Sequence, residues 1–417
     1  MIEDYFTARW CLHRFRRGPM ASHIDGLAAS LGERGYARKS IRCIVCLTGK
    51  FSRYAEAAGV DNARDVNQHL VARFLRELPT RRFRYAPRAM RLMLDHLGRE
   101  GVVRGAREAA AQHEPFATML ARYDHYLTLV RSLPVTTRRD YCRGARRLLL
   151  WLRQHRRARD PGRLRGADVI TFISDQATAY PSAAWRNRLT SQTRLFLRFL
   201  QWEGIIDADL TRVVPKLPHW RLASIPRHLP WERVRALIDS IDTRTPWGLR
   251  DRAVLLLIAM LGIRGAEVLR LRLTDIAWRS SEIYLPQTKA YRARVLPLPH
   301  EVGAALSDYI LHGRPRVHAP QVILRHDAPI GPLSSPSAVS RIVTRNLRRA
   351  AIVAPARSGT HMLRHSLATR LVNRGVPIKQ IADLLGHCSI DTTAIYSKVD
   401  VTGLTAVALP LPADASW

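Results

Sequence analysis

Lysine is nearly absent from this 417-residue sequence. Of 67 basic residues, only Lys39, Lys50, Lys216, Lys289, Lys379 and Lys398 are lysines; the rest are arginine. A guanidinium grips phosphate with a planar fork but does not readily release a proton, so each lysine in such a chain invites a chemical reason. Acidic residues are scarce as well: 34 Asp and Glu leave a formal net charge of +33. A chain this basic calls for a polyanionic partner, and nucleic acid is the default. Cysteines are few and odd in number (Cys11, Cys43, Cys46, Cys142, Cys388), which points to reduced thiols rather than a disulfide framework. Cys43 and Cys46 form a Cys-x-x-Cys, but no second pair completes a zinc site, and their apolar helical surroundings predict core packing. The N-terminus has no apolar signal core, and the longest apolar run, Val254 to Ile263, is too short to span a bilayer. The expectation is a cytoplasmic protein without a membrane partner. No Gly-rich phosphate loop and no carboxylate cluster stand out, which agrees with chemistry that needs no cofactor and no metal.

An apolar content of 47% supplies more than one core, and the length predicts two or three domains. Residues 1–105 read as an additional N-terminal helical domain, and 113–207 as a second helical domain. The two resemble each other. Arg91 to Val103 (RLMLDHLGREGVV) matches Arg194 to Ile206 (RLFLRFLQWEGII) at six of thirteen positions, and Val71 and Phe74 correspond to Val169 and Phe172. A duplicated unit is the expectation. A proline-dotted linker covers 208–228. Residues 229–402 then mix helices with a strand hairpin between Ser281 and Pro297, and 403–417 form a C-terminal tail. The fold class is therefore mainly α with a small antiparallel β-sheet. Residues 1–228 carry 42 basic and 20 acidic side chains. That excess suits sequence-independent contact with DNA phosphates.

Several polar groups in the C-terminal region sit at spacings that packing does not require. Arg264 follows an apolar helical run in Leu-Gly-Ile-Arg-Gly-Ala-Glu, at a helix break where backbone approaches a phosphate closely. Glu267, one turn on, is placed to hold that guanidinium in a bidentate pair. Lys289 sits at the turn between two alternating segments, where an ammonium can act as a general acid. His361 and Arg364 share one helix face at i, i+3, while Leu363, Leu367 and Leu371 line another. His365 points in a third direction and stays outside the set. His361, His365 and His387 as metal ligands are disfavoured by Arg364 beside them. His387 follows Gly386, the expected helix breaker, and Tyr396 follows in a polar context.

Arg264, Lys289, His361-x-x-Arg364, Leu-Gly-His387 and Tyr396 together resemble the active-site signature of tyrosine recombinases, the phage-integrase family. The resemblance covers roughly 229–400, and 113–207 resembles the family's helical, SAM-like core-binding domain. Gly265-Ala266 departs from the Ser the family often shows before the Glu. The resemblance implies a site-specific DNA recombinase that cleaves and rejoins strands through a 3′-phosphotyrosyl intermediate. Tyr396 would be the nucleophile, Arg264, Arg364 and His387 the stabilisers of phosphoryl charge, His361 a base or proton donor and Lys289 the leaving-group acid. It further implies a C-shaped clamp and a homotetramer on paired double-stranded DNA sites, with C-terminal segments exchanged. Other recombinases are further candidate partners. The biology expected is integration, excision or transposition of a mobile element. The alternatives are a type IB topoisomerase-like relaxing enzyme and a noncatalytic DNA-binding protein that retains the fold.

Overall fold

A computed structural model describes residues 2–79, 83, 85–103, 116–156, 161–180, 182–216, 227–286, 293–355, 358–387, 393 and 395–396. Lys289, the boundary between 105 and 113, linker residues 217–226 and the 403–417 tail lie outside them. The chain is mainly α-helical with small antiparallel sheets. It divides into two compact units. One holds Phe15–His23 and Leu47–Trp220; the other holds Met1–Arg14, Ile24–Cys46 and Arg221–Trp417. No helix among the described residues is long and apolar enough to cross a membrane.

In the first of these units, Tyr123, Leu149, Phe172, Phe196 and Phe199 form a closed core. The Val135–Arg156 helix is amphipathic: Leu148, Leu149, Trp151 and Leu152 are buried, while Arg143, Arg146 and Arg153 face solvent. The two look-alike segments close their helices in the same way. The Ala86–Arg99 and Ala183–Trp202 helices end at Glu100 and Glu203 with nearly equal dihedrals. Val102 N–H donates to the Leu97 carbonyl at 2.9 Å, and Ile205 N–H donates to Leu200 at 2.9 Å. Val71 and Phe74, like Val169 and Phe172, are buried. Identical Leu and Glu-Gly positions thus produce the same C-terminal cap.

In the other unit, the central element is the Pro246–Leu261 helix. Thr245 Oγ1 accepts from Gly248 N–H at 3.1 Å and Pro246 occupies the first turn, so its start is set locally. From Ala253 to Ala259 every residue is buried, as an apolar-all-round helix must be. A three-stranded antiparallel sheet lies in order β1 (Ile276–Ala277), β2 (Glu282–Leu285), β3 (Arg294–Pro297). Ile283 pairs with Leu296 and Tyr284 with Val295. The first pair is buried and the second exposed, the period-2 alternation of a half-covered sheet. Leu229 N–H donates to Ser366 Oγ at 2.8 Å, tying the chain after the linker to the Thr360–Val372 helix. Ile330 N–H donates to the Arg34 carbonyl at 3.1 Å, which joins the N-terminal segment to the same unit.

Core packing of Cys43 and Cys46 is not what the structure shows. Both are exposed. The Arg38–Ala57 helix buries Ile41, Ile44 and Val45, so the two thiols at i, i+3 fall on the opposite side. An apolar neighbourhood in sequence mixed the two faces of one helix.

Candidate active site

Two helix ends build the site. The Pro246–Leu261 helix stops at Gly262 (φ +61°), and the Ile378–Leu385 helix stops at Gly386 (φ +61°). Each leaves C-terminal carbonyls without helical partners, at the negative end of the helix dipole. Arginines fill both places. Arg364 Nη1 donates to the Gly262 carbonyl, and its Nη2 to the Leu385 carbonyl at 2.6 Å. Arg264 Nη1 donates to Leu385 at 3.1 Å and to Gly386 at 3.4 Å. Glycine is favoured at 386: the backbone is left-handed, and a Cβ there would displace the Arg294 guanidinium from its place beside Glu267.

Arg264 itself caps the Gly265–Arg270 helix, its N–H donating to Glu267 Oε2 at 2.8 Å. Glu267 does form a bidentate pair, but with Arg294 of β3, at 3.0 and 3.0 Å. The Arg264 guanidinium is 3.8 Å from it. The expected Arg264–Glu267 fork is therefore corrected: the carboxylate is turned toward its own helix start and the strand, and Arg264 reaches the other helix end instead. Burial would raise the Glu267 pKa, but the Arg294 hydrogen bonds and charge, with Arg264 beside them, hold it below the usual carboxylate range. Arg294 lies in the inward phase of β3, with Leu296. A charged residue in the buried phase of a strand was the available signal.

Arg364 is 3% exposed. Burial first, then the neighbouring Arg264, lowers its pKa to about 9, so it remains charged at neutral pH. His387 Nε2 lies 3.0 Å from Arg364 Nη2 and its Nδ1 2.6 Å from Thr393 Oγ1. Arginine only donates, so Nε2 accepts and Nδ1 carries the proton. Burial and then Arg364 push the His387 pKa down to about 3. His361 is solvent-exposed at the start of its helix; desolvation, then Arg364 and Arg264, still lower its pKa. Tyr396 is 2% exposed and packs on Ala368, Val372, Ile381 and Leu385. Its pKa is pushed up to about 12 by burial, against the pull of Arg364 and Arg264.

The structure thus gathers Arg264, Glu267, His361, Arg364, His387 and Tyr396, while Lys289 falls outside the described residues. It adds Arg294, Thr393 and His365. The helical direction of His365 differs from that of His361 and Arg364. Its Nδ1 nevertheless lies 2.6 Å from Tyr396 Oη, because Tyr396 packs on that side of the helix. Three guanidiniums, one carboxylate and neutral imidazoles leave this site with a net positive charge next to a buried phenol. Such a pocket suits a phosphoryl anion. A second basic feature is a cavity of about 600 Å³, lined among others by Arg250, Arg325, Arg341, Arg345, Arg348 and Arg349.

The phage integrase family profile matches residues 227–402, and the SAM-like N-terminal domain of phage integrases matches 120–204. Over 426 aligned residues the chain is 39% identical to the y4rF integrase/recombinase of Sinorhizobium fredii, covering 100% of this chain and 97% of that one. The chain belongs to the tyrosine recombinases of the phage-integrase family. A tyrosine recombinase is an enzyme that breaks and rejoins DNA strands. Among solved structures, XerH recombinase bound to a palindromic difH substrate aligns with a TM-score of 0.54 and 18% identity, over 69% of this chain and 83% of that one. A lambda integrase tetramer bound to a Holliday junction aligns with a TM-score of 0.51 and 19% identity, over 67% and 76%. Both share the recombinase fold.

Proposed function

We propose that this recombinase cleaves duplex DNA with Tyr396 as nucleophile, forming a 3′-phosphotyrosyl bond, and rejoins the strand to a partner duplex. The observation that carries this is the buried positive charge of Arg364, paired with no carboxylate among the described residues, beside the buried Tyr396 hydroxyl. In-line attack spreads negative charge over the nonbridging phosphate oxygens. Arg264, Arg364 and the His387 region are the groups that meet it, each such donor contributing about 3–4 kcal/mol. His361 is the exposed imidazole at the same phosphate. Lys289, which falls between β2 and β3 in the sequence, protonates the leaving 5′ oxygen. The arginine-lined cavity and the exposed arginines of the Val135–Arg156 helix grip backbone phosphates without reading sequence.

The assembly proposed is a homotetramer on two paired sites, by analogy with the lambda integrase tetramer. The role proposed is integration, excision or transposition of a mobile element in the cytoplasm, supported by the integrase/recombinase description of the full-length relative. Residues 1–105, 113–207 and 229–402 are proposed as functional domains joined by the 208–228 linker, with 403–417 docking on a neighbouring subunit.

The test is covalent capture on DNA. Tyr396→Phe should abolish protein–DNA adducts while DNA affinity stays within about twofold, a change under about 0.5 kcal/mol. Adducts at wild-type level in the Phe variant would sink the assignment. Lys289→Ala should cleave slowly and be rescued by a 5′-bridging sulfur, which leaves without protonation. A variant equally slow on that substrate would place Lys289 elsewhere than on the leaving group.

A further inference from the structure

The hydroxyl of Tyr396 has one hydrogen-bond partner among the described residues, His365 Nδ1 at 2.6 Å, with the two rings 5.5 Å apart between centroids. His361 is one turn earlier on the same helix. Its ring centroid is 6.4 Å from that of His365, and it is open to solvent. The imidazole in contact with the phenol is therefore not the one in the signature. We propose that His365, rather than His361, is the general base that takes the proton from Tyr396. The proposal rests on Tyr396 being the nucleophile.

The step balances without any further reagent. Tyr396 Oη forms a bond to phosphorus as its O–H bond breaks, and the proton passes to His365 Nδ1. The bond from phosphorus to the 5′ oxygen breaks, and that oxygen takes a proton from the leaving-group acid. On rejoining, the 5′ hydroxyl attacks phosphorus as its proton returns to the leaving-group acid, the bond from phosphorus to Tyr396 Oη breaks, and the departing phenolate recovers its proton from His365 Nδ1. His365 Nε2 keeps its hydrogen throughout.

The surroundings explain why the base waits for substrate. The titratable and charged groups facing His365 are His361 and Arg364 on its own helix, His228 ahead of the Trp231–Asp239 helix, His387 and Tyr396. None of these carries negative charge at neutral pH. With burial and cationic neighbours, the His365 pKa falls to about 4, which keeps the ring neutral at physiological pH; with its hydrogen on Nε2, Nδ1 accepts from the Tyr396 hydroxyl. A bound phosphodiester supplies the negative charge that the groups facing His365 lack. It favours an imidazolium at His365 at the moment Tyr396 attacks, when the phenol is losing its proton most readily.

The experiment begins with wild-type protein and sheared genomic DNA. Covalent complexes are captured, the adduct is mapped by mass spectrometry, and the recovered sequence is rebuilt as a nicked duplex with a 5′-bridging sulfur. That substrate removes the leaving-group acid from the rate. On it, His365→Ala should lose about 100- to 10,000-fold in single-turnover cleavage, and added imidazole should restore part of the loss. His365→Asn retains a hydrogen-bond acceptor but not a base, and should be as slow as His365→Ala. An Asn variant at the wild-type rate would overturn the proposal in favour of a positioning contact. An Ala variant at or above the wild-type rate would overturn it in favour of a latch on the resting tyrosine. Nitrogen-15 NMR of the wild-type protein needs neither variant nor DNA. A bare Nδ1 on His365 at neutral pH supports the proposal, and a protonated one overturns it. If the wild-type adduct maps away from Tyr396, the nucleophile assignment falls and this proposal with it. An adduct on Tyr396 with an unaffected Asn variant overturns this proposal alone.

Discussion

Arg250 and Arg364 are buried to the same extent, each 3% exposed, yet their charges are met in opposite ways. Arg250 Nε and Nη2 bind Asp251 Oδ1 at 3.0 and 2.8 Å. Asp251 is 1% exposed, and its other oxygen accepts from Arg345 at 2.6 Å and Asn346 at 2.8 Å. That cluster is closed by a carboxylate. Arg364 is held by two backbone carbonyls and a neutral imidazole, and no carboxylate among the described residues pairs with it. Carbonyl dipoles orient a guanidinium without cancelling its charge. Folding pairs Arg250 with a carboxylate that it shares with Arg345; Arg364 is positioned but keeps a field that an incoming anion can satisfy.

The comparison breaks most visibly at Asp251. Asp251→Ala strands two arginines, one of them fully buried, and should cost about 3–5 kcal/mol of stability in denaturant melts. At saturating DNA, where weaker gripping by the arginine-lined cavity is masked, cleavage per folded molecule should be unchanged. If the melts do not move, Asp251 is not what neutralises the cluster. Next comes Arg364→Ala, with an expected loss of about 100- to 1,000-fold in cleavage rate. Its stability loss should be smaller than that of Asp251→Ala, because relief of repulsion with Arg264 offsets the lost carbonyl bonds. Arg364→Lys should not recover the rate, since one ammonium cannot span two carbonyls and a phosphate. Recovery by lysine would reduce the site to a point charge.

Acid should sharpen the contrast. His365 and His387 are held neutral in the fold, with pKa values of about 4 and about 3 against the ordinary 6.5. Below about pH 6.5 the unfolded chain takes up protons that the folded chain refuses, so stability falls as pH falls. The slope is up to about 1.4 kcal/mol per pH unit for each histidine, ending where the folded values are reached. Above about pH 6.5 neither contributes. His326, also held at about 4, and the lowered His96 and His361 add to this slope, so denaturant titrations down to about pH 4.5 should show it and His365→Asn should remove one histidine's share. An unchanged slope in that variant would mean His365 already titrates normally in the fold. The smallest effect is expected at Thr393→Val, which removes the acceptor for His387 Nδ1–H and should cost about 1 kcal/mol. A larger loss, with cleavage falling in step, would make Thr393 part of how His387 is aimed.

Local chemistry determined much of this protein from its sequence. Thr245-Pro246 and Gly262 bound one helix, Glu-Gly pairs close the two look-alike helices, and alternation marked β2 and β3, because each depends on residues within a few positions. The signature residues were legible for the same reason: they sit in short motifs with regular spacing. What the tertiary structure decided is who meets whom. Glu267 joins Arg294 across 27 positions, His365 joins Tyr396 across 31, and Arg264 reaches the Leu385 carbonyl across 121. Helical or strand periodicity assigns each of these side chains a direction. It does not say which distant element packs in that direction, so the charge balance of the site and the partner of its tyrosine emerge only when the helix ends and β3 come together.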